Sequence, residues 1–192
     1  MSIIVTPREG LGVAKVLARR DTMVTLRQHF EVHFGLTLPN ALRRVSVHDV
    51  AAVGVGPGAW LVVQEGGGND WPRHLKSLLA NSACISDQSD AYVVLRLTGS
   101  DLRETLARLV PIDLHSRVFA PGHVAETVAS HLGVIVWRLE DDAKRPVFEL
   151  AVSRSFSASL YHALAAIVPN SESVRRLVAA HTINSVNSLT AS

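Results

Sequence analysis

The stretch Val50–Val63 constrains this chain most. It is apolar almost throughout, yet Gly56-Pro57-Gly58 interrupts it. Proline fixes one backbone dihedral and glycine admits conformations that other residues avoid, so this tripeptide turns the chain. Neither flank approaches the roughly 20 apolar residues that a membrane-crossing helix needs. The pattern therefore predicts a hairpin, with Val50–Val55 leading in and Trp60–Val63 leading out. Upstream, Val45 and Val47 alternate. Together with the run after them they read as one strand, buried first on one face and then on both.

Other elements arrange themselves around that hairpin. Leu11–Ala18 reads as a strand. Asp21 is placed to cap a helix whose face is Met23, Leu26, Phe30 and Phe34, and Gly35 is placed to end it. After a glycine-rich loop at Glu65–Asn69, Asp70 opens a second helix. Pro72 lies in its first turn, and Trp71, Leu75, Leu78 and Leu79 form its apolar face. Ala83–Ile85 closes the first half as a strand.

The second half starts with the strand Tyr92–Leu97. A helix capped by Ser100 follows, with Leu102, Leu106, Leu109 and Val110 inside. Val124–Ala129, Gly133–Leu139 and Val147–Val152 read as strands. A last helix, capped by Ser155, buries Phe156, Leu160, Leu164 and Ile167, and Pro169 ends it. The tail after Asn170 holds a short helix around Val174, Leu177 and Val178, then turns polar and is expected to be loosely held. The expected fold is α+β: two split β-α-β-β units packed together. It forms one domain over 1–170, with sub-lobes of about 1–86 and 87–170, followed by the tail 171–192.

Composition excludes several classes. Nineteen basic residues face 17 acidic ones, a net charge of +2 with no long basic run, so nothing argues for nucleic acid. The N-terminus lacks a signal-peptide pattern, and the one cysteine cannot form an internal disulfide. These features predict a cytoplasmic chain off the membrane. Cys84 has apolar neighbours and no adjacent base, and is expected to be a buried, inert thiol.

Motifs for chemistry are sparse. Gly54, Gly56 and Gly58 mimic a dinucleotide loop, but Pro57 has no N–H to offer a phosphate and a strand follows where a helix is required. His29 and His33 have a chelating spacing without a third ligand nearby. No nucleophile elbow is present. Asp87 and Asp90 form the most suggestive polar pair. One could serve as a base or amine ligand, or both could satisfy backbone N–H groups in the connection between two strands.

The segment Asp87-Gln88-Ser89-Asp90, continuing through Tyr92-Val-Val-Leu-Arg-Leu to Gly99, resembles a signature of the sarcosine oxidase gamma subunit family. Further segments agree in order: Gly56-Pro-Gly-Ala-Trp60, Pro111-Ile-Asp-Leu-His115 with Phe119 and Pro121-Gly122, His131 through Trp137, Phe148-Glu-Leu150, Arg154-Ser-Phe156 and Ser159-Leu-Tyr-His162. That family is similar in fold to the folate-binding domain of the glycine-cleavage T-protein. His115-Ser116 departs from a more usual His-Pro pair, and Tyr161 stands where Trp is common.

The resemblance implies a non-catalytic structural subunit of a heterotetramer. The complex would demethylate sarcosine oxidatively to glycine, giving hydrogen peroxide and methylene-tetrahydrofolate or formaldehyde. It implies alpha, beta and delta partners, chiefly alpha. FAD, FMN, NAD, tetrahydrofolate and zinc would lie in those partners and none in this chain. Trp60, Asp87, Gln88, Ser89, Asp90, His115, His131, Trp137, Arg154 and Phe156 would act structurally or at an interface. Trp60, Trp71, Phe119 and Trp137 are the candidates for a surface that a partner covers, with some of them expected in the core instead. The alternatives are a stand-alone folate-binding or one-carbon-transfer module, or the same role in an oxidase of another secondary amino acid.

Overall fold

The computed structural model describes residues 3–79 and 81–190, with side-chain surroundings as far as His181. The chain forms β1 (Ile4–Pro7), β2 (Gly12–Ala18), α1 (Met23–Phe34), β3 (Arg44–Val47), β4 (Val50–Gly56), β5 (Ala59–Gln64), α2 (Asp70–Leu79) and β6 (Ala83–Asp87). It continues as β7 (Tyr92–Thr98), α3 (Leu102–Leu106), β8 (Val124–Ala129), β9 (Leu132–Arg138), β10 (Val147–Ser153), α4 (Ser157–Ile167) and α5 (Glu172–Thr190). A 3-10 turn, Arg154–Phe156, leads into α4. Two compact units result: 8–92 with 122–126, and 1–7 with 93–121 and 127–192.

The first unit carries a five-stranded sheet in the order β3-β4-β5-β2-β6. Strand alternation points Ala14, Val16, Val50, Ala52, Trp60 and Val62 to one face, where α1 and α2 add Leu26, Phe30, Trp71, Leu75 and Leu79. Burying each large side chain there contributes roughly 1.5–3 kcal/mol. The Gly56-Pro57-Gly58 turn joins β4 to β5 as expected, with Gly56 opposite Ala59.

The run Val45–Val55 is not one strand. It folds back on itself: Val47 pairs with Val50 across a two-residue turn in which His48 takes φ 51°. The polar pair His48-Asp49 makes the turn, and Asp49 is tied in by an N–H from Glu65 and the amide of Gln64. Asp21 does not cap α1. It sits at φ 61°, and Thr22 precedes the helix, donating its hydroxyl to the carbonyls of Arg19 and Ser82. Gly35 does end α1, left-handed at φ 59°, with its N–H returned to the last turn.

The second unit carries the sheet β1-β7-β10-β9-β8. Strand β1, unmarked in the sequence reading, pairs antiparallel with β7, Ile4 opposite Thr98 and Pro7 opposite Leu95. Buried Leu95, Leu97, Phe148, Leu150, Leu102, Leu106, Leu160 and Leu164 lie in this unit. Helix α4 packs on β10 and α5, and α5 packs on β1.

Three helix readings need correction here. Ser100 does not cap α3; Asp101 precedes it, without a side-chain cap bond, and the helix has only five residues. Ser155 lies inside the 3-10 turn, so α4 begins at Ser157, whose hydroxyl donates to the carbonyl of Arg154. That tighter turn leaves Phe156 exposed, where burial was expected; the buried stripe is Ser157, Leu160, Tyr161 and Leu164. The short helix expected in the tail is the longer α5. The looseness expected beyond Thr182 falls on side chains outside the described residues, as do Ala191 and Ser192.

Candidate functional site

The signature Asp87-Gln88-Ser89-Asp90 leaves β6 and forms the bend before β7. The Ser89 hydroxyl accepts the N–H of Val13 at 3.1 Å, and the Gln88 N–H donates to the Val13 carbonyl at 2.8 Å. Asp87 Oδ1 accepts the N–H of Ser89 at 2.9 Å, an Asx-type turn. The amide of Gln88 donates to the Asp87 carbonyl and the Ser86 hydroxyl. Asp90 is exposed. Of the two readings open for this segment, these contacts favour backbone satisfaction.

The tryptophans are internal. Trp60 donates its indole N–H to the Pro39 carbonyl at 2.8 Å, and Trp71 donates to the Val62 carbonyl at 3.2 Å. Trp137 donates to Glu149 Oε2 at 2.7 Å. These three and Phe119 are all buried, so none of the four supplies the partner surface proposed for them. Tryptophan carries a large apolar body and one donor, and each of these donors finds an acceptor inside its own unit.

Sequence reasoning missed a polar cluster in the second unit. Glu149 is buried in the apolar strand β10, opposite Trp137 on β9. Its Oε1 accepts Arg96 from β7, at 2.8 Å from Nε and 2.7 Å from Nη2. Arg138, also buried, donates to the Phe119 carbonyl at 2.9 Å and to Asp141 at 2.7 Å, and lies 6.0 Å above the Phe148 ring. Phe119 stacks on Phe148 at 6.1 Å. The available signal was a lone carboxylate amid Val147-Phe148 and Leu150-Ala151-Val152, a charge that needs a partner when buried.

The remaining motif residues occupy turns. His115 accepts the Arg117 N–H at its Nδ1, and its own N–H donates to Asp113. His131 lies in the β8–β9 turn with Ser130, both at positive φ, 72° and 46°. Arg154 and Phe156 are exposed at the entrance to α4. Burial raises the phenol pKa of Tyr161, opposed by the Arg154 charge; burial and the nearby Glu126 carboxylate raise that of Tyr92.

Cys84 is exposed, contrary to expectation. It pairs with Leu17, itself 42% exposed, and the helices' core cluster contains neither residue. The rings of His29 and His33 are 6.1 Å apart, and the described residues hold no group of three or more His, Cys, Asp or Glu suited to a metal. Among them, no helix is long and apolar enough to cross a membrane.

This arrangement defines an α+β chain built on two five-stranded sheets. It is similar to the glycine cleavage system aminomethyltransferase T from Bartonella henselae, with TM-score 0.61 and 12% identity over 85% of this chain and 45% of that one. It is also similar to a chain of the heterotetrameric sarcosine oxidase from Corynebacterium sp. U-96 in complex with pyrrole 2-carboxylate. There the TM-score is 0.73 and the identity 20%, over 92% of this chain and 85% of that one. Residues 23–169 match the sarcosine oxidase, gamma subunit family, and the chain belongs to that family. It is thereby a subunit of an oxidoreductase complex. No curated protein sequence matches it.

Proposed function

We propose that this chain is a non-catalytic structural subunit of a cytoplasmic heterotetrameric sarcosine oxidase. Its partners are alpha, beta and delta subunits, with alpha the main contact. FAD, FMN, NAD, tetrahydrofolate and zinc belong to those partners. The complex converts sarcosine to glycine, and this chain acts by holding the cofactor-bearing subunits in register. The family match over residues 23–169 carries this reading. The use of the motif residues supports it: Ser89 and Gln88 clamp Val13, Trp60 anchors Pro39, and Trp137 anchors Glu149. Groups committed in this way build a scaffold.

Co-expression with the neighbouring reading frames, followed by size exclusion with light scattering, tests the assignment. A yellow complex several times heavier than 20.7 kDa, turning over sarcosine, is the expected result. A colourless chain that stays alone beside those subunits would favour a free-standing folate-binding module. Asp87→Ala is expected to lower the yield of assembled complex while leaving flavin reduction normal in what assembles. Normal assembly with lost turnover would make Asp87 a participant in the reaction.

A further inference from the structure

Helix α1 carries His29 and His33 four residues apart, so both imidazoles rise from one side of it. Two histidines at this helical spacing can share one metal ion. Spacing alone is a weak signal, because two free rings seldom aim their lone pairs at one point. Here one ring is held. The Ser82 hydroxyl oxygen lies 3.4 Å from His29 Nδ1. Ser82 is itself buried and fixed: its hydroxyl donates to the Leu79 carbonyl at 3.2 Å, and its carbonyl accepts the Thr22 hydroxyl at 2.6 Å. A serine hydroxyl has one proton to give. With that proton directed to Leu79, the Ser82 oxygen accepts from His29. Nδ1 therefore carries the ring hydrogen, and Nε2 keeps the lone pair that a metal needs.

Metal-ligating histidines almost always donate their second nitrogen to such an acceptor, which fixes tautomer and ring orientation. His29 is half-buried and His33 exposed, so solvent reaches the pair. Their ring centroids stand 6.1 Å apart, edge toward face. A tetrahedral ion about 2.0–2.1 Å from each nitrogen brings two such rings to roughly 5 Å. Exposed His33 can swing over that difference while Ser82 holds His29 still. Glu31, on the same helix, is engaged elsewhere: its carboxylate accepts the Thr37 hydroxyl at 2.7 Å. Water fills the remaining coordination positions. Imidazole suits Ni2+, Cu2+ and Zn2+, whereas Mg2+ and Ca2+ prefer oxygen ligands.

We propose that His29 and His33 form a two-imidazole site for one divalent cation of the Ni2+, Cu2+ and Zn2+ class, with Ser82 orienting the first ligand. The inference stands apart from the oxidase assignment, since it concerns this chain alone. The test is a calorimetric titration of the full, tag-free chain with Ni2+, paired with its thermal midpoint. One ion per chain and a raised midpoint are expected, because an ion that binds the folded state stabilises it. Mg2+ at the same concentration is expected to leave the midpoint where it was. Ser82→Ala keeps both ligands and is expected to weaken Ni2+ binding about tenfold, the usual effect of losing a supporting partner. His33→Ala removes a ligand from an exposed position. It is expected to weaken Ni2+ more than Ser82→Ala does, while keeping the metal-free midpoint. No saturable Ni2+ binding overturns the proposal. So does an affinity that His33→Ala leaves unchanged, since the ion would then sit on others of the nine histidines. An equal midpoint rise with Mg2+ overturns it as well, because that response belongs to carboxylates. A Ser82→Ala affinity equal to that of the unaltered chain overturns the orienting role of Ser82.

Discussion

Single residues show where function-like patterns dissolve into structure. Ser89 is the clearest case, since its hydroxyl accepts the Val13 N–H from a strand 76 positions away in sequence. Ser89→Ala leaves that partly buried donor without its acceptor and is expected to cost about 1–3 kcal/mol in a denaturant titration. A loss below that range would show that water replaces the hydroxyl. Glu149→Ala strips the acceptor from both Trp137 and Arg96 and is expected to cost about 3–5 kcal/mol, whereas Glu149→Gln keeps an oxygen for one of them and should cost less. Neither role was legible in the sequence. A serine in a polar run says nothing about which strand it faces, and Glu149 declares only that it must have a partner. The indole donors were equally silent, which is why tryptophans expected at a surface are found inside. Tyr92 and Tyr161 give a pH test of these environments. Their folded pKa values lie above the ordinary phenol value of about 10. The neutral phenols thus add stability that is complete below about pH 10 and lost as pH rises from there through the raised folded values. A midpoint of thermal unfolding that falls above pH 10 is expected, and Tyr161→Phe should flatten that fall.

At the scale of elements, periodicity served well and punctuation served poorly. The faces of α1 and α2 were legible because Leu26, Phe30, Leu75 and Leu79 recur at helical spacing and all four are buried. The caps were not, because Asp21, Ser100 and Ser155 each have a neighbour equally able to start a helix. The β3–β4 turn escaped notice because His48-Asp49 lacks glycine, although His48 still takes positive φ. Strand β1 escaped because four residues, Ile4–Pro7, carry too little pattern, and the proline argues against a strand unless the strand is an edge. Close approach of elements adds a constraint that spacing never reveals. A Cβ at Gly12 would stand 2.4 Å from Trp71 Cβ and 2.7 Å from the Gly68 carbonyl oxygen. Gly12→Ala must push α2 off β2 and is expected to cost about 1–3 kcal/mol, read from the shift of the denaturation midpoint. Gly133→Ala, where nothing lies within 4 Å, is the control and should change much less.

For the whole molecule, the family was legible and the partner surface was not. Several short motifs in fixed order specify a family because each fixes a turn or an internal contact of the fold, and the family match spans 23–169. A surface for another subunit leaves no such trace, since exposed apolar residues look like core until burial is known. Helix α1 shows the problem. Its apolar residues fall on both sides, with Leu26 and Phe30 buried while Val24 and Val32 are 69% and 78% exposed. Gln28 lies between those two valines on the outer face. Nothing in their own unit uses them, and a subunit scaffold needs apolar contact area that only a partner covers. Val24→Asp with Val32→Asp is therefore expected to abolish co-elution with the other subunits. The chain's own thermal midpoint should move little, because charges on an exposed helix face disturb no packing. Retained co-elution would shift the contact to other exposed apolar side chains, among them Val118, Val128 and Phe156. Phe156→Ala would then be the decisive second variant, since it removes the largest of them from a family motif that has no use for it inside the fold.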